Sequence, residues 1–164
     1  MNLFHGFDAS AYEFFEGLTC IDVNDSPSHP EHKPRYGFAD RAGKLRFPAI
    51  YDAAEDFCGG LAAVKLKEKW GFIDDKGNTI IPAMYDSVHQ FRDGLALVKL
   101  NGKYGYIDTK GTTIIPIIYE EACQFVDDVA LVKLNGRYGC IDTKGNEAPM
   151  SGSRAEHYLK EGME

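Results

Sequence analysis

The sequence predicts an all-β protein built from tandem units of 34 residues, and three observations lead to that reading. Tyr36-Gly37-Phe38 returns at a constant step as Trp70-Gly71-Phe72, Tyr104-Gly105-Tyr106 and Tyr138-Gly139-Cys140. Pro48, Pro82 and Pro116 keep the same step, as do Tyr51, Tyr85 and Tyr119, and Phe57, Phe91 and Phe125. Between these markers run short apolar stretches bounded by turn residues, of strand rather than helix length. A constant period marks a repeat architecture, in which each unit buries its apolar face against its neighbours.

The array opens on a half unit. Phe14-Phe15-Glu16-Gly17-Leu18-Thr19-Cys20-Ile21 aligns with Phe91-Arg92-Asp93-Gly94-Leu95-Ala96-Leu97-Val98. The half repeat 7–23 is followed by an insertion, 24–35, then by repeats 36–69, 70–103 and 104–137 and a closing half repeat, 138–150. Residues 1–150 therefore read as one repeat domain. The tail, 151–164, leaves the pattern: Ser153 with Glu156 fits a capping box, and Ala155, Tyr158 and Leu159 form a narrow apolar stripe. That predicts a short C-terminal helix.

Each unit can be built locally. Residues 95–100 form an apolar run, and Asn101-Gly102 supplies the two positive-φ positions of a type I′ turn. Residues 104–108 return as the second strand, which sets Lys99 opposite Tyr104, Val98 opposite Gly105 and Leu97 opposite Tyr106. Gly105 then leaves a gap that a neighbouring side chain or backbone can fill. Asp108-Thr109-Lys110-Gly111 has the aspartate and glycine of a type I turn closed by a left-handed glycine. Residues 112–118 read as a third strand, which Pro116 marks as an edge or a bulge because proline donates nothing to the ladder. Residues 119–128 form a polar corner with room for a helical turn. Four antiparallel hairpins, extended to three-stranded meanders, thus predict an open twisted array. A closed barrel or propeller-like ring is the rival arrangement.

Lys69-Trp70-Gly71-Phe72-Ile73-Asp74, followed by Gly77, Ile80-Ile81-Pro82, Tyr85-Asp86, Phe91, Gly94-Leu95-Ala96 and Val98, resembles the bacterial WG-containing β repeat. The resemblance covers roughly residues 14–149, with tyrosine replacing tryptophan in three copies. It implies an all-β array used as an accessory binding region, with no general catalytic residue and no defined ligand.

Composition narrows the partner. The formal charge is −7, whereas a phosphate-backbone binder needs clustered Lys and Arg, so nucleic acid is not expected. No apolar run approaches a membrane span, and the acidic N-terminus lacks the basic start of a secretory signal. Cys20, Cys58, Cys123 and Cys140 form no C-x-x-C pair and fall at four different repeat positions. They read as reduced cysteines of a cytoplasmic protein. Phosphate loops, nucleophile elbows and zinc-protease motifs are missing from the sequence. The repeated Asp40, Asp74, Asp108 and Asp142 read as turn caps rather than calcium ligands, since Lys76, Lys110 and Lys144 oppose a cation. Neither a cofactor nor a metal is expected.

Three features remain as binding candidates. The insertion carries His29 and His32 between prolines, as a contact loop. The aromatic pairs, with Trp70, Tyr104 and Tyr106 among them, form a column that is either core or platform. The corners hold 12 of the 25 acids, including Asp86, Asp93, Glu120, Glu121, Asp127 and Asp128, against the single base Arg92. Such an acidic ledge would steer a protein with a basic surface. With the family resemblance, this suggests a non-catalytic protein-binding module, conceivably a stand-alone immunity-type inhibitor of a toxin or effector. A self-associating assembly module is the alternative, and a small-ligand binder or enzyme using the aromatic column is the third.

Overall fold

The computed structural model describes residues 9–24 and 33–149. His29, His32 and the tail expected to be helical lie outside the described residues. A 3-10 turn at Ala9–Ala11 comes first, and every paired strand that follows is antiparallel. There is no α-helix among the described residues, and no sheet closes on itself into a barrel. Open sheets of tandem hairpins are what the array reading requires.

The chain divides into two compact units, Met1–Phe91 and Arg92–Glu164. The first holds β1 (Leu18–Asp22), β2 (Tyr36–Asp40), β3 (Ala53–Ala54), β4 (Leu61–Leu66), β5 (Lys69–Asp74), β6 (Thr79–Tyr85) and β7 (Ser87–Val88). The second holds β8 (Leu95–Leu100), β9 (Lys103–Asp108), β10 (Thr113–Tyr119), β11 (Glu121–Ala122), β12 (Val129–Leu134), β13 (Arg137–Asp142) and β14 (Glu147–Ala148).

The hairpin register matches the one read from the turn. Val98 faces Gly105, Leu97 faces Tyr106 and Lys99 faces Tyr104. Asn101 and Gly102 both take positive φ, at 50° and 79°, as a type I′ turn demands. The same pairing recurs with Val64 opposite Gly71 and Val132 opposite Gly139. At the second turn the Asp108 carboxylate accepts the amides of Lys110 and Thr112, and Gly111 donates to the Asp108 carbonyl.

The third strand is irregular for the reason its proline suggests. β10 pairs with β9 at Ile115–Tyr106 and again at Tyr119–Tyr104, so four residues on one strand span two on the other. β6 repeats this against β5, with Ile81 opposite Phe72 and Tyr85 opposite Trp70. Both proline strands lie at a sheet edge. The bulge around Pro116 swings β10 across Gly105, where a Cβ would stand 2.7 Å from the Ile117 Cα and 2.8 Å from the Ile115 carbonyl oxygen. Gly71 lies equally close beneath the Pro82 segment. The gap expected opposite valine is thus filled by backbone.

The corners contain no helical turn, contrary to the room allowed for one. They run extended: β3 and β11 pair with β4 and β12. Each corner then closes in a two-residue turn, as when Arg92 and Leu95 exchange both backbone hydrogen bonds around Asp93-Gly94. The reason is spatial. The corner must place a phenylalanine in the core and still reverse the chain, and extended backbone reaches further per residue than helix.

Each unit has its own core, assembled by one rule. In the first, Leu18, Phe38 and Tyr36 from one hairpin meet Ala62, Val64 and Ile73 from the next, with Tyr51 and Phe57 of the corner between them. In the second, Leu97, Tyr106 and Tyr104 meet Ala130, Val132 and Ile141, with Tyr119 and Phe125 between. Burial of such aliphatic and aromatic side chains contributes about 1.5–3 kcal/mol each.

Candidate functional site

The turn aspartates are structural. The carboxylates of Asp40, Asp74, Asp108 and Asp142 each accept two backbone amides from their own turn, two and four residues on. Hydrogen bonding by Asn78, Thr112 and Asn146 holds the Asp74, Asp108 and Asp142 carboxyls below their ordinary value. These oxygens diverge into separate turns, and no three metal-type ligands gather among the described residues.

The corner acids divide into two sets. The leading acids are engaged within the fold: Asp52 accepts the Lys67 amide at 2.8 Å and pairs with Arg35, and Glu120 accepts the Gly136 amide at 3.0 Å. These two carboxylates thereby cap the type I′ turns of their repeats. Asp86 pairs with Lys69. Glu121 binds Lys133 at 2.9 Å and the Tyr138 hydroxyl at 2.7 Å, and these bonds pull its carboxyl pKa down and push Lys133 up. Asp93, Asp127 and Asp128 instead stand exposed at the tips of the corner turns, all at positive φ. In the first unit the equivalent tip residue Glu16 reaches the next tip, accepting the Gly60 amide at 2.9 Å. The ledge expected from sequence is therefore part scaffold, part exposed rim.

The aromatic column splits in the same way. Trp70 and Tyr104 are half-buried, each opposite the corner tyrosine of its own repeat. The Lys99 ammonium sits 5.0 Å above the Tyr104 ring. Tyr106, by contrast, is only 1% exposed. Its ring lies 4.7 Å from that of Phe125, its hydroxyl donates to the Cys123 carbonyl, and burial pushes its pKa up. Phe38 and Phe72 pack on Phe57 and Phe91 at 4.9 and 4.8 Å. Tyr106 is thus a core residue, and its place among the candidate contacts is corrected: a partner at the surface cannot reach it. The aromatic is buried because the next hairpin stacks on that face, as the periodicity of one strand does not reveal.

Cys20, Cys58, Cys123 and Cys140 are free thiols. Burial, with Asp56 and Asp22 nearby, pushes the Cys20 thiol up to about 12, leaving it protonated and a poor nucleophile at neutral pH.

A surface absent from the expected candidates appears on the third strands. Ile50, Met84 and Ile118 occupy one repeat position and are 49%, 44% and 45% exposed. Ile80 and Ile114 share a second exposed position on β6 and β10. Their neighbours Ile81, Tyr85, Ile115 and Tyr119 turn inward. The sequence signal was the apolar residue directly before each corner tyrosine, which a run such as Ile114-Ile115-Pro116-Ile117-Ile118 conceals, because the run reads as wholly buried.

Fold and surface together define a non-enzymatic type of scaffold, a β-repeat protein with recurring exposed side chains on its proline strands. The chain belongs to the WG containing repeat family, whose pattern matches residues 36–70, 70–104 and 104–138 in tandem. No curated protein matches the chain. No helix among the described residues is long and apolar enough to cross a membrane.

Proposed function

We propose that this protein is a non-catalytic binding module that holds a partner protein against the outer faces of its third strands. The observation that carries the reading is the recurrence of exposed large aliphatics at fixed repeat positions on β6 and β10. Exposed apolar residues scattered singly are ordinary, but residues repeated on an edge strand form a surface that water solvates poorly. The exposed rim acids Asp93, Asp127 and Asp128 add long-range attraction for a basic partner, which acts on association rate. An apolar row rimmed by acid suits a cytoplasmic inhibitor of the immunity type, which neutralises a basic toxin or effector by covering it.

The test compares the wild-type chain with Ile114→Ser/Ile118→Ser as bait in native lysate, with melting curves for both. Both side chains are exposed, so stability should change by about 0.5 kcal/mol or less. The reading expects one stoichiometric partner to be held by the wild type and lost from the variant. Equal retention by both proteins would remove the third-strand surface from the function.

A further inference from the structure

The last hairpin carries a cradle that the others fill. In the second and third repeats the glycine after the first aromatic lies under the bulged proline strand. A Cβ on Gly71 or Gly105 would collide with the Pro82 segment or with Ile117. Around Gly139 a Cβ would meet nothing within 4 Å. The space above it is a groove of 740 Å³ lined by Leu134, Arg137, Gly139, Tyr138 and Tyr119.

The vacancy has a cause in the sequence. At the 34-residue step, Ile115, Ile117 and Tyr119 are succeeded by Pro149, Ser151 and Ser153. The isoleucines and the tyrosine that seat the third strand elsewhere are gone. β14 accordingly pairs only as Ala148–Cys140 and Glu147–Ile141, a register shifted by one residue from the Ile115–Tyr106 pairing. It reproduces no bulge. Tyr36, Trp70 and Tyr104 each pair across to a tyrosine, namely Tyr51, Tyr85 and Tyr119. Tyr138 has no such strand partner among the described residues. Leu134 is also exposed, whereas its counterparts Leu66 and Leu100 are half-buried.

We infer that the groove over Gly139 is a strand-acceptor site. It takes an extended segment of a partner protein with the spacing aliphatic-aliphatic-Pro-x-x-aromatic, laid antiparallel along the edge of β13. The page shows this occupant in place on the equivalent hairpins, supplied by the chain itself. Main-chain hydrogen bonds along an exposed edge give affinity, and side-chain seats give selectivity. The proline bends the incoming strand over the glycine, and its aromatic stands opposite Tyr138. This site goes beyond the third-strand row proposed above and does not depend on it.

The probe is a fluorescein-labelled peptide of residues 78–86, Asn-Thr-Ile-Ile-Pro-Ala-Met-Tyr-Asp, titrated with the full chain by fluorescence polarisation. A scrambled peptide of the same composition is the control. Saturable binding is expected for the ordered peptide alone. Gly139→Ile fills the groove and should weaken that binding about tenfold or more, with unchanged melting because the space beside Gly139 is open. Leu134→Glu, at an exposed position, should weaken binding likewise and serves if the first variant fails to fold. Absence of saturation, or equal affinity for wild type and both variants, overturns the site. Concentration-dependent dimerisation without peptide, abolished by Gly139→Ile, would make a second copy the occupant and overturn the assignment to a foreign strand. None of these outcomes involves the lysate partner, so failure here and failure of the third-strand surface are separate results.

Discussion

Gly105 and Ile117 approach so closely that a single added methyl group at position 105 would stand 2.7 Å from the isoleucine Cα. The glycine of the repeat is retained for space, since the bulged third strand passes directly over it. Gly139, at the same repeat position, has open space instead. Gly105→Ala should therefore destabilise by roughly 1–3 kcal/mol through overpacking. Gly139→Ala should be nearly neutral. Urea melts of the two variants measure the difference, and equal losses would mean that glycine matters for some other reason.

One of the type I′ turns is built from unsuitable residues. Asn101-Gly102 and Asn135-Gly136 occupy it in two repeats, but Lys67-Glu68 adopts the same positive φ, 50° and 68°, in another. A left-handed conformation costs a residue with a Cβ about 1–2 kcal/mol. Glu68→Gly should raise stability by about 1 kcal/mol, and the exposed Lys65–Glu68 pair it removes is worth little. Thermal melting at neutral pH decides, and an unchanged midpoint would show that the turn relaxes without cost.

Acid should loosen the turns in a defined direction. The Asp74, Asp108 and Asp142 carboxyls lie below their ordinary value of 3.8 because backbone and side-chain donors favour the ionised form. A depressed folded-state pKa gives stability that is complete above the ordinary value and is lost as pH falls through the folded one. The melting temperature should drop between about pH 5 and about pH 3. The triple variant Asp74→Asn, Asp108→Asn, Asp142→Asn keeps the acceptor oxygens and should show a shallower drop in calorimetry. Identical slopes would assign the acid sensitivity to other carboxylates.

The corner acids should separate by position. Asp93→Asn, Asp127→Asn and Asp128→Asn together should slow association with a basic partner, more at low salt than at physiological salt. Melting should hardly move, because exposed charges contribute little. Glu120→Ala instead removes the cap on the Gly136 amide and should lower stability by about 1 kcal/mol. Surface binding kinetics at two salt concentrations, paired with melting curves, check both halves. If the rim variant binds at the wild-type rate in both salts, the acids have no steering role.

Much of this protein follows from sequence alone. The 34-residue step, the Asn101-Gly102 turn and the antiparallel pairing of Val98 with Gly105 follow from it because a two-residue turn leaves a hairpin one register. The role of Asp108 in its turn follows for the same reason: its partners are two and four residues away. What the sequence could not decide is anything that depends on contacts between repeats. Tyr104 and Tyr106 look alike along the chain, yet the stacking of the next hairpin buries one and leaves the other half-exposed. Ile114 and Ile115 are adjacent and chemically identical, yet a bulge at Pro116 places one outside and the other in the core. Glu120 and Asp128 are both corner acids, but only the fold brings the Gly136 amide to the first. Local chemistry sets turns and register, whereas side-chain exposure depends on which surfaces meet, and that is settled only when the units pack.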